Sequence, residues 1–362
     1  MEWKEGRNVS IDILKGAAAY LVVLGHCVTG KEEYCRLYNF IYAFHMPLFM
    51  FLAGYTAVAS YRNSAGKWNY LARRFVNIMV PYLFWTVSLT VINSGSFHSV
   101  DWQELMIEMF ISNKIYWFLP TLFGLLIGYV GYCGVRTWIL AGIRTRKEQY
   151  ELGEGIMTAI DALSCILITG IFILLMCLTG FQICRDIVGF TIPFFAAVMY
   201  MEHNWIHTLF HHRASAIAAI LFFCLLIGRF DFDRASVATS ILRMILGMCA
   251  VVILLQLAER LHIPGWMRGL LVFYGRSSLI IYLLQSRILK YSELFKARSF
   301  GVAGDLVWYG IVSLLVCGVC SVFCAGMSRI PIVSTLLLGK TRNRCKKPAP
   351  TFLAEREGWK DA

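Results

Sequence analysis

Stretches of about twenty mainly apolar residues recur along the whole chain, broken by short polar segments. That is the length a helix needs to cross a hydrocarbon core of ~30 Å. Read as spans, these stretches fall at about 11–29, 38–60, 75–93, 115–135, 156–178, 185–201, 214–229, 236–258, 270–290 and 305–327. The longest intervening polar stretches, 136–155 and the region after 327, are too short to build a core of their own. The pattern predicts an all-α, polytopic transmembrane helical bundle of ten spans over residues 1–327. A basic, disordered tail is expected over 328–362, with Arg342, Arg344, Lys346 and Lys347 ahead of Pro348 and Pro350, suited to anionic membrane lipid.

Composition narrows the class further. Hydrophobic residues make up 58% of the 362 residues and charged residues 15%, against about 45–50% and about 25% in an ordinary soluble domain. Disordered, collagen-like and secreted disulfide-scaffold chains are excluded on the same figures. The net charge of +12 would suit nucleic acid in a soluble protein. Here its distribution points instead to orientation, and no nucleic-acid partner is expected. Lys and Arg number 21 in the segments on the N-terminal side of the bundle and 9 on the other, three of these nine (Arg185, Arg229 and Lys290) at span ends. The positive-inside rule then puts both termini in the cytoplasm. Cys317, Cys320 and Cys324 form a helical stripe of small packing residues rather than a redox or metal site. The first apolar run lacks a small-x-small cleavage site, so no cleavable signal peptide is expected.

Ionisable groups inside spans are costly and by default mark function. The first span holds Asp12, Lys15 and His26. Lys15 and His26 are separated by eleven positions, which brings them within about 20° of one helical face and ~16 Å apart along the axis. Asp12 shares that stripe. A snorkelling Asp12–Lys15 pair would be the structural explanation at the membrane surface, but it leaves His26, between Gly25 and Cys27, unexplained. The second span carries Phe44-His45-Met46-Pro47, which puts His45 at a depth similar to His26. His45 either shares acid–base work with His26 or is structural, bonded to a carbonyl that Pro47 frees. Arg73-Arg74, with Asn77 and Pro81-Tyr82 following, reads as a membrane anchor or as a phosphate clamp. Tyr116-Trp117-Phe118 opens the fourth span. Tyr274-Gly275-Arg276-Ser277-Ser278, continuing to Gln285 and Arg287, is polar enough to line a cavity. His203, His207 and His211 have helical spacing but no well-placed carboxylate partner in the sequence, so no metal site is expected.

Together these stretches resemble the acyltransferase 3 family of integral membrane acyltransferases, in particular its sugar O-acetylase-like branch. The resemblance runs in the family's order from Arg7-Asn8-Val9-Ser10-Ile11-Asp12 through His26, Phe44-His45-Met46-Pro47 through Gly54-Tyr55, and Arg73-Arg74 through Pro81-Tyr82. It continues through Trp117-Phe118-Leu119 and Gly275-Arg276-Ser277-Ser278 through Tyr282. It implies transfer of an acyl group, usually acetyl from cytoplasmic acetyl-CoA, to a hydroxyl of a glycan or lipid-linked sugar acceptor. His26 matches the family's essential histidine and would act as general base, with Asp12 and His45 as further catalytic candidates. Lys15, Arg73, Arg74, Trp117, Arg276 and Ser277 form the implied acyl-CoA-binding set. Lys15 stands where the family commonly has arginine, Asn77 where many relatives carry a second one, and Gln285 where relatives often have histidine. The family's setting implies a multi-pass protein of the bacterial cytoplasmic membrane. The competing expectation is a proton-coupled transporter or flippase using Asp12, Lys15 and His26 as a relay; no internal repeat of the transporter kind supports it.

Overall fold

A computed structural model describes residues 9–339 apart from 113, 145–152, 234–235 and 292–300. Among the described residues the regular structure is entirely helical. The elements are α1 (Val9–Val28), α2 (Cys35–Arg62), α3 (Lys67–Ser94), α4 (Trp102–Phe110), α5 (Phe118–Arg144), α6 (Glu154–Thr179), α7 (Gln182–Glu202), α8 (Asn204–His211), α9 (Arg213–Ile227), α10 (Val237–Arg260), α11 (Gly265–Arg276), α12 (Ser278–Tyr291), α13 (Gly301–Met327) and α14 (Pro331–Leu338). Eight of them, α1, α2, α3, α5, α6, α7, α10 and α13, are long and apolar enough to cross a membrane. Two bent pairs, α8 with α9 at 62° and α11 with α12 at 83°, raise the number to as many as ten. The predicted spans are therefore present in order: the break at Ser277 falls inside the one expected at 270–290, and the break at His212 just ahead of the one expected at 214–229. The end of the bundle where α1 begins is called the near end below, and the end where it finishes the far end.

Lipid-facing surface explains the outward residues. In α6, Ile166, Leu167, Ile171, Leu174 and Leu178 are exposed, while the buried stripe is Ile160, Asp161, Ser164 and Ile168. Asp161 and Ser164 thus point inward while a broad run of apolar side chains faces outward, the reverse of a soluble amphipathic helix. Helix association in lipid depends on close packing rather than on the hydrophobic effect. The central helix α1 accordingly touches α2, α10, α11, α12 and α13. Its closest approach is to α11. A Cβ on Gly16 would lie 2.0 Å from the Leu271 carbonyl oxygen, and one on Gly275 would lie 2.0 Å from that of Asp12. Only glycine allows this crossing, and the crossing fixes the break at Ser277 beside the near-end half of α1.

The near end is tied by ion pairs that sequence spacing did not reveal. Arg136 Nε lies 2.7 Å from Asp161, which is fully buried, and His203 Nε2 lies 3.0 Å from the same carboxylate. Glu202 takes Arg62 at 2.9 Å and Arg136 at 3.5 Å. His211 Nδ1 meets Glu259 at 3.0 Å and its Nε2 faces the Tyr200 hydroxyl at 2.8 Å. The histidine stripe therefore does have carboxylate partners, on α6 and α10. The expectation that it lacks them is corrected, because those partners come from helices remote in sequence. Among the described residues no three His, Cys, Asp or Glu side chains are grouped to hold a metal.

The tail reading also needs correcting where it begins. Pro331–Leu338 is helical and docks on α3, where Trp85 Nε1 donates to the Leu337 carbonyl at 3.1 Å. With its amide nitrogen turned inward, Asn77 donates to the carbonyls of Arg73 at 3.1 Å and Gly339 at 2.7 Å. An apolar octapeptide led by Pro331 can bury its face there. The basic residues Arg342, Arg344, Lys346 and Lys347 lie outside the described residues.

Candidate active site

On α1 the residues Lys15, Ala19 and Val22 follow one another at steps of four and three, which keeps them on a single face. All three line a cavity of about 250 Å³. The same stripe continues to His26, one turn beyond Val22 and ~16 Å of helix rise above Lys15. His26 is exposed at that turn.

The cavity's other walls come from four helices. Met46, Phe49, Ala53 and Thr56 supply a stripe of α2, and Arg74, Asn77 and Ile78 a turn of α3. Phe118, Leu119 and Leu122 come from the start of α5, and Ser278, Leu279, Ile281 and Tyr282 from the start of α12. Its chemistry is graded along its length. Lys15, Thr56, Arg74, Asn77 and Ser278 gather at the near end, whereas Ala19, Val22, Met46, Phe49 and Leu119 make the upper walls apolar. Arg74 is braced there by the Ser60 hydroxyl and sits 5.3 Å above the Tyr70 ring. Two cations with apolar walls above them suit a ligand that is anionic at one end and slender and uncharged beyond.

Arg73 is one position off this face. Its Nε donates to the Asn69 carbonyl at 3.3 Å on the exposed side of α3, so the pair splits into one cavity cation and one surface cation. Asp12 is buried and faces Arg276, whose Nε lies 3.6 Å away. It stands about 21 Å of helix rise from His26, so the structure does not bring these two candidates together. Asp12 and Arg276 instead pin the α1–α11 crossing. Ser277 is buried at the break, where its carbonyl accepts from the Ile281 amide at 3.0 Å; it is Ser278, its neighbour, that lines the cavity. Trp117 stacks on Phe190 at 5.6 Å, outside the cavity lining.

His45 is buried, and its Nδ1 lies 2.8 Å from the Ile41 carbonyl. That carbonyl is not the one Pro47 releases, which belongs to Ala43. The structural expectation for His45 is thus met by a different partner, while Pro47 itself receives Gly247 of α10. With Nδ1–H given to Ile41, Nε2 is the nitrogen left as an acceptor. His26 and Arg243 both stand close enough to His45 for their charges to act on it.

Arg243 was not among the sequence candidates. It is half-buried in α10, its guanidinium lies 5.1 Å from the Phe190 ring, and Asp186 supplies its counter-charge. The signal was available: a lone arginine inside the apolar run 236–258 carries the same cost that singled out Lys15.

The acyltransferase domain model matches residues 8–325, which includes every element that builds the cavity. Two nodulation proteins NolL are similar over shorter stretches. That of Sinorhizobium fredii is 29% identical over 122 residues, 31% of this chain and 33% of the relative. That of Mesorhizobium japonicum is 28% identical over 96 residues, 25% of this chain and 26% of the relative. The matched part thus spans a third or less of the length of these curated relatives. No solved structure matches the chain. With an ordered cavity built on α1, a multi-pass helical bundle, and a family match over nearly the whole chain, the protein belongs to the acyltransferase 3 family.

Proposed function

We propose that this membrane O-acyltransferase takes its acyl group, most simply acetyl, from acyl-CoA and passes it to a hydroxyl of a glycan or lipid-linked sugar, with His26 as the general base. The observation that carries the proposal is the single stripe Lys15–Ala19–Val22 of the cavity leading to His26. Lys15 and Arg74 at the foot bind phosphate oxygens, Arg74 through paired guanidinium donors. The apolar slot above them accepts the uncharged pantetheine arm, whose reach is comparable with the ~16 Å rise from Lys15 to His26. The charge bias of the connecting segments supports a cytoplasmic near end, which is where soluble CoA esters are found.

His26 then accepts the proton of the acceptor hydroxyl as its oxygen bonds to the thioester carbonyl carbon. The C–S bond breaks, the CoA sulfur leaves as thiolate, and His26 returns the proton to it. His45 is kept in place by Ile41 and contributes its second nitrogen beside His26. Asp12 acts through position rather than chemistry, holding Arg276 and the broken span against α1.

The test is transfer from labelled acetyl-CoA by purified protein in lipid nanodiscs, with label followed into acceptor and into water. Saturable CoA binding together with acetyl release that depends on His26 is the expected result. Protein that neither binds CoA nor releases acetyl from it contradicts the proposal.

A further inference from the structure

A second cavity, of about 280 Å³, opens at the far end. Thr86, Leu89, Thr90, Asn93 and Ser94 line it from the last two turns of α3, and Glu108 from α4. Ile115 and Tyr116 close it ahead of α5, and Arg287 reaches in from α12. Its lining is unlike that of the donor slot. Hydroxyls, an amide, one acid and one base surround a space smaller than the ~300 Å³ at which pockets for drug-sized ligands begin. The Leu89 and Ile115 side chains and the Tyr116 ring add apolar area.

One of these groups has no partner. Many helix threonines in this chain return their hydroxyls to the carbonyl four residues back, as Thr90 does to Thr86 at 2.9 Å and Thr121 to Trp117 at 2.8 Å. Thr86 does not. It is 1% exposed, and its Oγ1 has no hydrogen-bond partner among the described residues. A buried hydroxyl left unsatisfied costs stability unless something else satisfies it. The wall beside it is held under strain: Tyr116 has φ +48°, a left-handed conformation rare for a non-glycine residue. The Tyr116 hydroxyl donates to the Leu283 carbonyl at 2.8 Å, and its ring stands 6.0 Å from that of Tyr282. Tyr282 and Phe118, 5.4 Å apart, line the donor slot on the other side of this wall.

We infer that the far-end cavity is the sugar subsite of the acceptor: it holds one pyranose ring, with the Thr86 hydroxyl among its hydrogen-bond partners. Alternating donors and acceptors match ring hydroxyls, and the apolar side chains match the C–H face of the ring. The lining also carries charge of both signs, Arg287 on one side and Glu108, paired with Lys114 at 3.8 Å, on the other. The inference rests on the acyltransferase proposal for its meaning, since it places the acceptor one aromatic wall away from the donor slot.

The experiment is saturation-transfer NMR on the full chain in nanodiscs, using methyl β-D-glucopyranoside, methyl β-D-galactopyranoside, methyl α-D-mannopyranoside and methyl N-acetyl-β-D-glucosaminide as probes. At least one should give a saturable signal. Thr86→Val should weaken it about fivefold, the worth of one neutral hydrogen bond, with no fall in melting temperature because no internal bond is lost. Ser94→Trp, at the end of α3, should fill the cavity and abolish the signal. No saturable glycoside signal, a signal that survives Ser94→Trp, or inorganic phosphate binding in place of the glycosides overturns the inference. Calorimetric CoA binding on the same preparation keeps the two claims apart. Intact CoA binding without glycoside binding removes the sugar subsite alone, and glycoside binding without CoA binding removes the donor assignment alone.

Discussion

The slot on α1 and the far-end cavity are nearly equal in volume, about 250 and 280 Å³, and opposite in character. In the slot, polar groups collect at one end and the remainder is hydrocarbon, so it sorts a ligand along its length. In the far-end cavity, polar groups are spread around the walls, so it reads a compact ligand from several sides. Volume therefore says little about either ligand; the placement of charge and hydroxyls distinguishes them. Both cavities take walls from α3 and α12 and they meet at Tyr116, Phe118 and Tyr282. The broken span α11–α12 is thus shared scaffolding for the two.

The sharpest way to separate the cavities is to block one. Ala19→Phe puts a ring into the slot between Lys15 and Val22, and acyl transfer should fall by about 10²-fold or more from lost positioning. Methyl glycoside binding at the far end should persist; its loss would mean that the cavities are one. A second substitution acts on the shared scaffold. Gly275→Ala forces α11 away from the Asp12 carbonyl, at the ~1–3 kcal/mol typical of overpacking and seen as a lower melting temperature in detergent. An unchanged melting temperature would show that the two helices cross with room for a methyl group.

A finer comparison lies within the slot. Arg74→Gln should weaken CoA affinity roughly tenfold, the loss of one charge-assisted contact. Arg73→Gln, on the exposed side, should change it by less than about twofold, in line with an exposed charge. Equal effects of the two, measured by calorimetry, would erase the distinction drawn between them. The smallest effect belongs to Lys15→Arg, which keeps the charge at the same depth and should alter CoA affinity by only about twofold. Lys15→Ala should raise KM for acetyl-CoA and leave a measurable rate at saturation.

What could be anticipated from sequence follows from which forces are local. The spans were legible because a bilayer imposes one length on each of them, and the Lys15–His26 stripe because helical periodicity is local. The breaks at His212 and Ser277 were not, since polar stretches such as His211-His212-Arg213 and Gly275-Arg276-Ser277-Ser278 mark a connection or a cavity lining as readily as a bend. Arg73 and Arg74 could not be separated by spacing alone. Adjacent residues differ by about 100° around a helix, and which one faces inward depends on α2 and α12. The Asp161–His203 pair is separated by 42 positions and depends on α6 meeting α7, which no local pattern shows. The far-end cavity was hidden for the same reason. Four elements contribute ordinary polar residues to it, and only the unsatisfied Thr86 hydroxyl marks it. Arg243 is legible in principle, by the cost of an arginine in hydrocarbon.

The central claim, that the face leading from Lys15 through the slot ends at a catalytic His26, is tested most directly by His26→Ala. Acetyl transfer should be measured at saturating acetyl-CoA, with CoA binding and melting temperature taken on the same preparation. The cationic foot of the slot lies ~16 Å of helix rise from His26, so CoA affinity should stay within about twofold of wild type. The transfer rate should fall by about 10²–10⁴, the usual worth of a positioned general base. Near-wild-type turnover in a folded, CoA-binding His26→Ala protein would contradict the account and remove His26 from the chemistry.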